Sequence, residues 1–206
     1  MKIVETPHPI LFLISAPSGT GKTTLCQRLL SEFPQLRYSV SSTTRAPRSG
    51  EVDGVDYDFL SREDFQSQVE QGAFLEYAEV HGNGYGTRIQ TLKSFFDAGK
   101  SVLLDVDVQG ADLIRDNLGR ADVDPIMQKS FVDVFLSPPH LDALRERLEG
   151  RGKDAAEVIE HRLTNAKAEM EKAGCYQFQI INDDLDVAYH ELRAVFIASC
   201  LRTICC

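Results

Sequence analysis

Uninterrupted apolar runs, not alternating ones, mark the strands that this chain is predicted to bury. Such runs lie at residues 10–14, 101–105 and 132–136, and a shorter strand is predicted at 179–181. An apolar run without alternation is typical of a parallel strand whose two faces are both covered by helices. The pattern therefore favours an α/β fold, in which a parallel sheet carries helices on both faces.

Amphipathic and capped segments between these runs predict helices. Ser61 and Asp64 are spaced as a capping box in front of one of them. The predicted helices run from Thr24 to about Phe33 and over 62–71, 140–148, 155–172 and 185–201.

One region, residues 38–90, departs from the regular alternation of strand and helix. It is polar and rich in turn residues, with strands predicted at 38–41 and 74–80 and a turn at 82–84. We therefore expect a small mixed α/β excursion from the parallel core, with antiparallel pairing.

A glycine-rich loop follows the first apolar run directly. Ala16, Gly21, Lys22 and Thr23 have the spacing of a P-loop, with Ala in place of the usual first Gly. In such a loop the lysine reaches the β and γ phosphates, the threonine hydroxyl binds Mg²⁺, and backbone N–H groups face the anion. Lysine-bearing glycine turns also arise by chance, but a strand before the loop and a helix after it favour a nucleotide triphosphate site.

Composition sets limits on the class of protein. The 206 residues, 43% hydrophobic and 26% charged, suffice for one substantial core. No apolar run reaches membrane length, and the N-terminal residues do not resemble a secretory signal, so we expect a cytoplasmic protein without a membrane partner. The net charge of −9 argues against nucleic acid as a partner. Five cysteines without metal-ligand spacing are interpreted as reduced thiols.

Carboxylates follow the second buried run at Asp105 and Asp107. Ligands of such folds gather beyond the carboxyl ends of the strands, so both acids are expected near the phosphates. Two roles stay open for Asp105, a contact to the water shell of Mg²⁺ and a cap at the strand end. Glu76, considered alone, is interpreted as an exposed charge at a strand edge.

Two groups of arginines stand out against the acidic background. Arg45 and Arg48 flank Pro47 in a turn and can converge on one phosphate, although an isolated pair of this kind is usually a solvated loop. Neighbouring Glu51, Tyr57 and Tyr85 favour the phosphate site, because they supply a carboxylate and two hydroxyls.

The second group is Arg145, Arg147 and Arg151, with Arg162 on the next predicted helix. For Arg145 we expect a surface helix with intrahelical ion pairs to Glu146 or Glu149. For RLEGRG the two glycines suggest a hinge, which fits a lid that closes over phosphates.

These motifs together resemble the guanylate kinase family over nearly the full length. The resemblance is carried by SAPSGTGKTT, SVSSTTRAPRSGEVDGVDYDF, FLEYAEVHGNGYGT, LLDVDVQG, RLEGRG with Arg162, and INDDL. Gly84 departs from it, since many members have an aromatic residue before the Tyr-Gly pair. The resemblance implies a P-loop core at 1–37, 91–139 and 164–206, a GMP-binding domain at 38–90 and an arginine-bearing lid at 140–163.

The resemblance also implies an activity, transfer of the γ-phosphoryl group of MgATP to GMP or dGMP, in a monomer or homodimer. ATP would be bound by Ala16, Pro17, Ser18, Gly19, Thr20, Gly21, Lys22, Thr23 and Thr24, with Asn182 near the adenine. GMP would be bound by Ser41, Arg45, Arg48, Glu51, Tyr57, Glu76, Tyr85, Thr87 and Asp107. Catalysis would rest on Lys22, Arg45, Arg147, Arg151 and Arg162, with Mg²⁺ at Thr23 and, through water, at Asp105.

Two alternatives are weighed against this activity. Interaction modules resembling guanylate kinase keep the fold without transferring phosphate, but they typically have a degraded P-loop, whereas Gly21, Lys22 and Thr23 are intact here. A kinase for another monophosphate is the second alternative. The pair Glu76 and Asp107 speaks against AMP, because adenine presents an acceptor where guanine presents donors.

Overall fold

A computed structural model describes residues 8–80, 82–150, 152 and 155–203. Its core is a five-stranded sheet in the order β2-β7-β1-β8-β9, in which every neighbouring pair is parallel. The strands are β1 (Leu11–Ser15), β2 (Leu36–Tyr38), β7 (Ser101–Asp105), β8 (Phe131–Ser137) and β9 (Phe178–Ile181). The predicted α/β class with a parallel core sheet is confirmed.

Helices cover both faces of this sheet because the side chains of β1 alternate between two cores. Phe12 and Ile14 pack in one hydrophobic cluster, and Leu11 and Leu13 pack in the other. The helices of the chain are α1 (Lys22–Glu32), α2 (Arg62–Glu70), α3 (Ile89–Asp97), α4 (Val108–Asn117), α5 (Pro125–Lys129), α6 (Leu141–Gly150), α7 (Ala156–Glu171) and α8 (Leu185–Cys200). Helices α1 and α8 lie on the first face, and α3 and α4 on the second.

The excursion carries a second sheet of four strands in the order β4-β3-β6-β5. These are β3 (Ser42–Thr43), β4 (Asp58–Phe59), β5 (Phe74–Val80) and β6 (Asn83–Arg88). Strand β6 is antiparallel to both β5 and β3, as the turn-rich sequence predicted, and the predicted bounds of β5 are confirmed.

One predicted strand, 38–41, is wrong. The chain instead forms β2 up to Tyr38 and β3 from Ser42, on two different sheets. Between them the Ser39 N–H still donates to the Leu103 carbonyl, 3.0 Å away, before the chain turns away from the core. The predicted turn at 82–84 is also shorter, since Asn83 and Gly84 already belong to β6.

Side chains of the core anchor the excursion through its main chain. Asn117, at the end of α4, donates to the Leu75 carbonyl at 2.8 Å. Arg120 donates to the carbonyls of Phe74 at 3.0 Å and Gly72 at 3.1 Å. The start of β5 is therefore fixed to α4 and to the segment that follows it.

Helices α6 and α7 form an antiparallel pair around Leu144, Leu148, Ile159 and Leu163. The expected intrahelical partner of Arg145 is wrong: its guanidinium pairs with Glu160 of α7, at 3.1 Å for the longer contact. Packing of α6 against α7 brings this carboxylate to the side of α6 where Arg145 lies.

No helix in the described part of the chain has the length and apolar character needed to cross a membrane. Cys26, Cys175 and Cys200 are free thiols, whereas Cys205 and Cys206 lie outside the described residues.

Candidate nucleotide-binding site

The loop between β1 and α1 adopts backbone conformations that its glycines permit. Gly19 and Gly21 have φ values of 96° and 98°, a region that side chains with a Cβ rarely occupy. Gly21 also has no room for a side chain, because a Cβ would lie 2.7 Å from Asn182 Nδ2. That amide donates to the Thr20 carbonyl at 2.6 Å and is buried. Asn182 thus supports the loop from beneath.

Gly19 brings the loop against α6. A Cβ on this residue would lie 2.9 Å from Leu148 Cδ2 and 3.0 Å from Leu144 Cδ1. The helix predicted as part of a lid therefore rests on the glycine loop itself.

Lys22 begins α1 and extends toward the carboxyl end of β7. Its Nζ lies 2.5 Å from Asp105 Oδ1 and donates to the Val106 carbonyl at 2.9 Å. The sequence predicts two other roles for Asp105, a contact to the water shell of Mg²⁺ and a cap at the strand end, and does not predict this ion pair. The ion pair holds the lysine over the loop, and the second oxygen of the Asp105 carboxylate lies outside the pair.

A cavity of about 390 Å³ lies over the loop. It is lined by Ala16, Pro17, Ser18, Gly19, Gly21, Lys22, Thr23, Thr24, Asp107 and Glu169. All of the residues predicted to bind ATP line this cavity except Thr20 and Asn182, which lie beneath the loop. We call it the donor cavity.

A second cavity of about 280 Å³ lies between the core sheet and the excursion sheet, and we call it the acceptor cavity. Among the residues predicted to bind GMP, Ser41, Tyr57, Glu76, Tyr85 and Asp107 line it. Sequence reasoning missed Tyr38, Asp56, Ala78, Val80, Gly86, Val106 and Gly110. Asp107 lines both cavities, so they adjoin.

Glu76 is buried at the wall of the acceptor cavity, with 7% of its surface exposed. This overturns its interpretation as an exposed charge at a strand edge. Burial raises its pKa to about 7, although the hydrogen bond that Thr87 Oγ1 donates to Glu76 Oε1 at 2.7 Å lowers it, and the nearby Asp107 raises it further. Thr87 thus orients a carboxyl group that ionises near neutral pH.

Asp107 has a structural role besides its place in the cavity. Its Oδ1 accepts from the Gly110 N–H at 2.7 Å and caps α4. A Cβ on Gly110 would lie 3.8 Å from Glu76 Oε2, so this glycine leaves space beside the Glu76 carboxylate. The two acids therefore face one another across the start of α4.

Arg45 is held in an aromatic and acidic setting beside the acceptor cavity. Its guanidinium lies 2.8 Å from Glu51 Oε1, and its Cζ lies 5.2 Å from the centre of the Tyr57 ring. Glu51 also accepts from the Arg48 N–H at 2.7 Å, and the hydrogen bonds from Arg45 and Arg48 lower its pKa. The Tyr57 and Tyr85 rings meet edge to face, 6.0 Å apart. Glu51 orients Arg45 and shapes the turn that bears Arg48.

Two of the arginines predicted for a lid, Arg147 and Arg162, lie on α6 and α7. Arg147 of α6 donates to the Asp183 carbonyl at 3.0 Å, next to the residue that supports the glycine loop. Arg162 lies on α7, two turns before Glu169, which lines the donor cavity. Arg151 lies outside the described residues.

Glu169 lines the donor cavity but is not among the predicted site residues, although the sequence contains a clear signal for it. It follows Arg162 by seven positions, and residues seven apart share one face of a helix. Burial raises its pKa, as does Asp107, whereas Lys22 lowers it.

Several known proteins resemble this chain over most of its length. The chain matches the family model described as Guanylate kinase over residues 9–199. It is 47% identical to the guanylate kinase of Nitratidesulfovibrio vulgaris over 196 residues, covering 95% of this chain and 90% of that protein. It is 47% identical to that of Neisseria meningitidis serogroup A over 192 residues, covering 93% and 89%. A crystal structure of guanylate kinase from Anaplasma phagocytophilum superimposes with a TM-score of 0.70 at 29% identity, covering 96% of this chain and 89% of that one.

Proposed function

Since this chain belongs to the guanylate kinase family, we propose that its donor and acceptor cavities are the two halves of one phosphoryl-transfer site. MgATP binds in the donor cavity and GMP in the acceptor cavity, and the products are ADP and GDP. The observation that carries this proposal is that the two cavities adjoin at Asp107, so that molecules bound in them are neighbours, as direct transfer requires. We take residues 38–90 as the GMP-binding domain, 140–163 as the lid and the cytoplasm as the place of the reaction.

The donor half binds the triphosphate through its backbone and Lys22. The N–H groups at the start of α1 face the cavity, and the positive end of the helix dipole favours an anion there. Lys22 stands 2.5 Å from Asp105 and exchanges part of this ion pair for the β and γ phosphates. Asn182 acts on ATP indirectly, by fixing the Thr20 carbonyl.

Thr23 and Asp105 fit Mg²⁺, because both offer oxygen donors. Thr23 is exposed in the donor cavity, and Asp105 has one carboxylate oxygen outside its pair with Lys22. Such a hard cation binds one or two protein oxygens and completes its shell with water and phosphate. When bound, it would neutralise charge on the β and γ phosphates. Thr23 would hold it directly and Asp105 through water.

The acceptor half orients GMP by its base and its phosphate. Glu76 and Asp107 accept hydrogen bonds from the N1–H and N2 amino group of guanine, with Ser41 at the same wall. Thr87 keeps the Glu76 carboxylate in place. The phosphate is bound by Arg45, Arg48, Tyr57 and Tyr85. In support, Glu51 binds the Arg45 guanidinium and the Arg48 N–H, and the Tyr57 ring lies beside both Arg45 and Tyr85.

Transfer needs alignment and charge neutralisation. An ionised phosphate oxygen of GMP attacks the γ-phosphorus, and the bond to the oxygen bridging the β and γ phosphates breaks as ADP leaves. No proton has to be removed from the attacking group, so a general base is not required. Arg147, Arg151 and Arg162 add positive charge from the lid side, where a site closed to water strengthens each interaction.

This function is tested by following ADP and GDP together. With MgATP and GMP, we expect one GDP for each ADP, and no turnover when GMP or Mg²⁺ is omitted. An interaction module without catalysis would bind GMP or a protein but form neither product. ADP release that does not depend on GMP would indicate a hydrolase instead.

The raised pKa of Glu76 predicts how GMP binding depends on pH. Guanine donors bind the ionised carboxylate, and with a pKa of about 7 the ionised fraction falls as pH is lowered. We therefore expect KM for GMP to rise about tenfold between pH 8 and pH 6. Initial rates at saturating MgATP across this range measure it.

The control for the pH profile is Glu76→Gln, which cannot ionise at this position. This variant should bind GMP more weakly. Its KM for GMP should depend on pH only through ionisation of the GMP phosphate, whose second pKa is about 6, and this dependence is shallower. Parallel profiles for the two proteins would contradict the assignment of Glu76.

A further inference from the structure

Strand β6 bears Tyr85 and Thr87 on one face and Gly84 and Gly86 on the other. Tyr85 lines the acceptor cavity, and Thr87 on the same face donates to Glu76. Gly84 and Gly86 alternate with them and present bare backbone to the opposite face. The position of this backbone therefore sets where the Tyr85 hydroxyl lies.

Two stacked aromatic rings lie directly behind the glycines, beside an open cavity of about 480 Å³ that Phe65 and Gly84 also line. The Phe65 and Phe74 rings lie 4.8 Å apart with an interplanar angle of 29°. A Cβ on Gly84 would lie 2.7 Å from Phe65 Cε1, and one on Gly86 would lie 2.8 Å from Phe74 Cδ1. Atoms this close to a Cβ would have to shift, so the rings rest directly on the main chain of β6.

Hydrogen bonds fix the same backbone from the side of β3. The Gly84 carbonyl accepts from Thr43 Oγ1 at 2.9 Å and from the Thr44 N–H at 3.0 Å, and the Gly84 N–H donates to Thr44 Oγ1 at 2.8 Å. Displacing Gly84 would also move Thr44, the neighbour of Arg45. Two groups assigned to the GMP phosphate, Tyr85 and Arg45, thus share one support.

We propose that Phe65 is a positioning residue for the acceptor phosphate. It is buried, and the structure shows it as the one buried residue of α2, within Arg62–Glu70. Its ring determines how far β6 can retreat from the acceptor cavity, and so the distance from Tyr85 to the phosphate of GMP. This inference rests on the proposed function, because it assumes GMP as the acceptor.

The first test compares Phe65→Leu with Gly84→Ala. The first removes the ring edge behind Gly84, and the second adds a methyl group that must push against the ring. Both should raise KM for GMP by about fivefold to tenfold, since small misplacements of binding groups have large kinetic costs. KM for ATP should stay within twofold. A residue that only stabilises the fold would lower kcat per total protein and leave KM for GMP unchanged.

The decisive variant combines the two changes. In Phe65→Leu with Gly84→Ala, the new methyl group occupies space that the ring edge has left. KM for GMP should then return to within about twofold of the unmodified protein, which independent losses of stability would not do.

Two matched controls make the same kinds of substitution at positions away from β6. Gly174→Ala adds a methyl group where nothing lies within 4 Å and φ is ordinary. Phe96→Leu shortens another buried ring, on α3 and within the core. Both should keep the KM for GMP of the unmodified protein.

The inference is overturned if both single variants keep KM for GMP within twofold, or if the double variant shows the product of the single effects. Failure of the proposed function is a separate result, because the unmodified protein would then not turn over GMP at all.

Discussion

Lys22→Met is expected to lower kcat for transfer from MgATP to GMP by about 10³-fold, the largest effect of any single substitution considered for this protein. Lys22 directly follows the last glycine of the loop, and its charge offsets the negative charge on the phosphates as they approach. Methionine keeps the length of the side chain and removes the charge. Initial rates at saturating MgATP and GMP measure the loss.

The folded state should survive this change. The ion pair of Lys22 with Asp105 is partly exposed, with 21% and 18% of the side chains accessible. Its loss should cost about 1 kcal/mol, or about 2–4 °C in Tm. Lys93→Met, on the exposed side of α3, is the matched control and should keep full activity. A Lys22→Met protein with kcat within tenfold of normal would show that the loop does not bind the transferred phosphate.

Discrimination between GMP and AMP is the second large effect, and kcat/KM for GMP should exceed that for AMP by about 10³ or more. Guanine offers N1–H and N2 amino donors to Glu76 and Asp107, whereas adenine presents N1 as an acceptor. A buried carboxylate that faces an acceptor loses its hydrogen bonds and gains repulsion. Rates of ADP release with GMP, dGMP, AMP, CMP and UMP measure the preference. Among these, dGMP is expected to serve as a substrate besides GMP.

Glu76→Gln should narrow this discrimination, because an amide can also donate to N1 of adenine. Glu79→Gln provides the control, since Glu79 is an exposed acid on the opposite face of the same strand. Equal rates with AMP and GMP in the unmodified protein would contradict the account of base recognition.

The sequence predicted best where one local signal was decisive. The run at 10–14 and the loop after it favoured one interpretation over a chance glycine turn, because a buried strand, small residues, a lysine and a following helix coincide. Helix α4 is not among the predicted helices. Asp107, which caps it, is predicted only as a ligand, although the apolar positions Val108, Ala111 and Ile114 behind it have helical spacing.

Other features depend on contacts that no local pattern reports. Glu76 looked exposed because burial of a strand residue is decided by what packs against it, here the start of α4 with Gly110. The Lys22 pair with Asp105 joins positions that meet only when β1 and β7 are neighbours. The strand predicted at 38–41 failed because the chain changes sheets there, and each piece is only two or three residues long.

The hydrogen bonds that hold the excursion, residues 38–90, to the core allow its sequence to change. Asn117 and Arg120 bind carbonyl oxygens of residues 72–75, which every amino acid provides, so the anchoring tolerates new side chains at those positions. The segment also leaves the core after β2 and returns through α3 into the adjacent strand β7, as one continuous insertion. On the proposed function, acceptor preference can therefore diverge, or be grafted, without rebuilding the donor cavity, provided that the new segment remains complementary to Asp107.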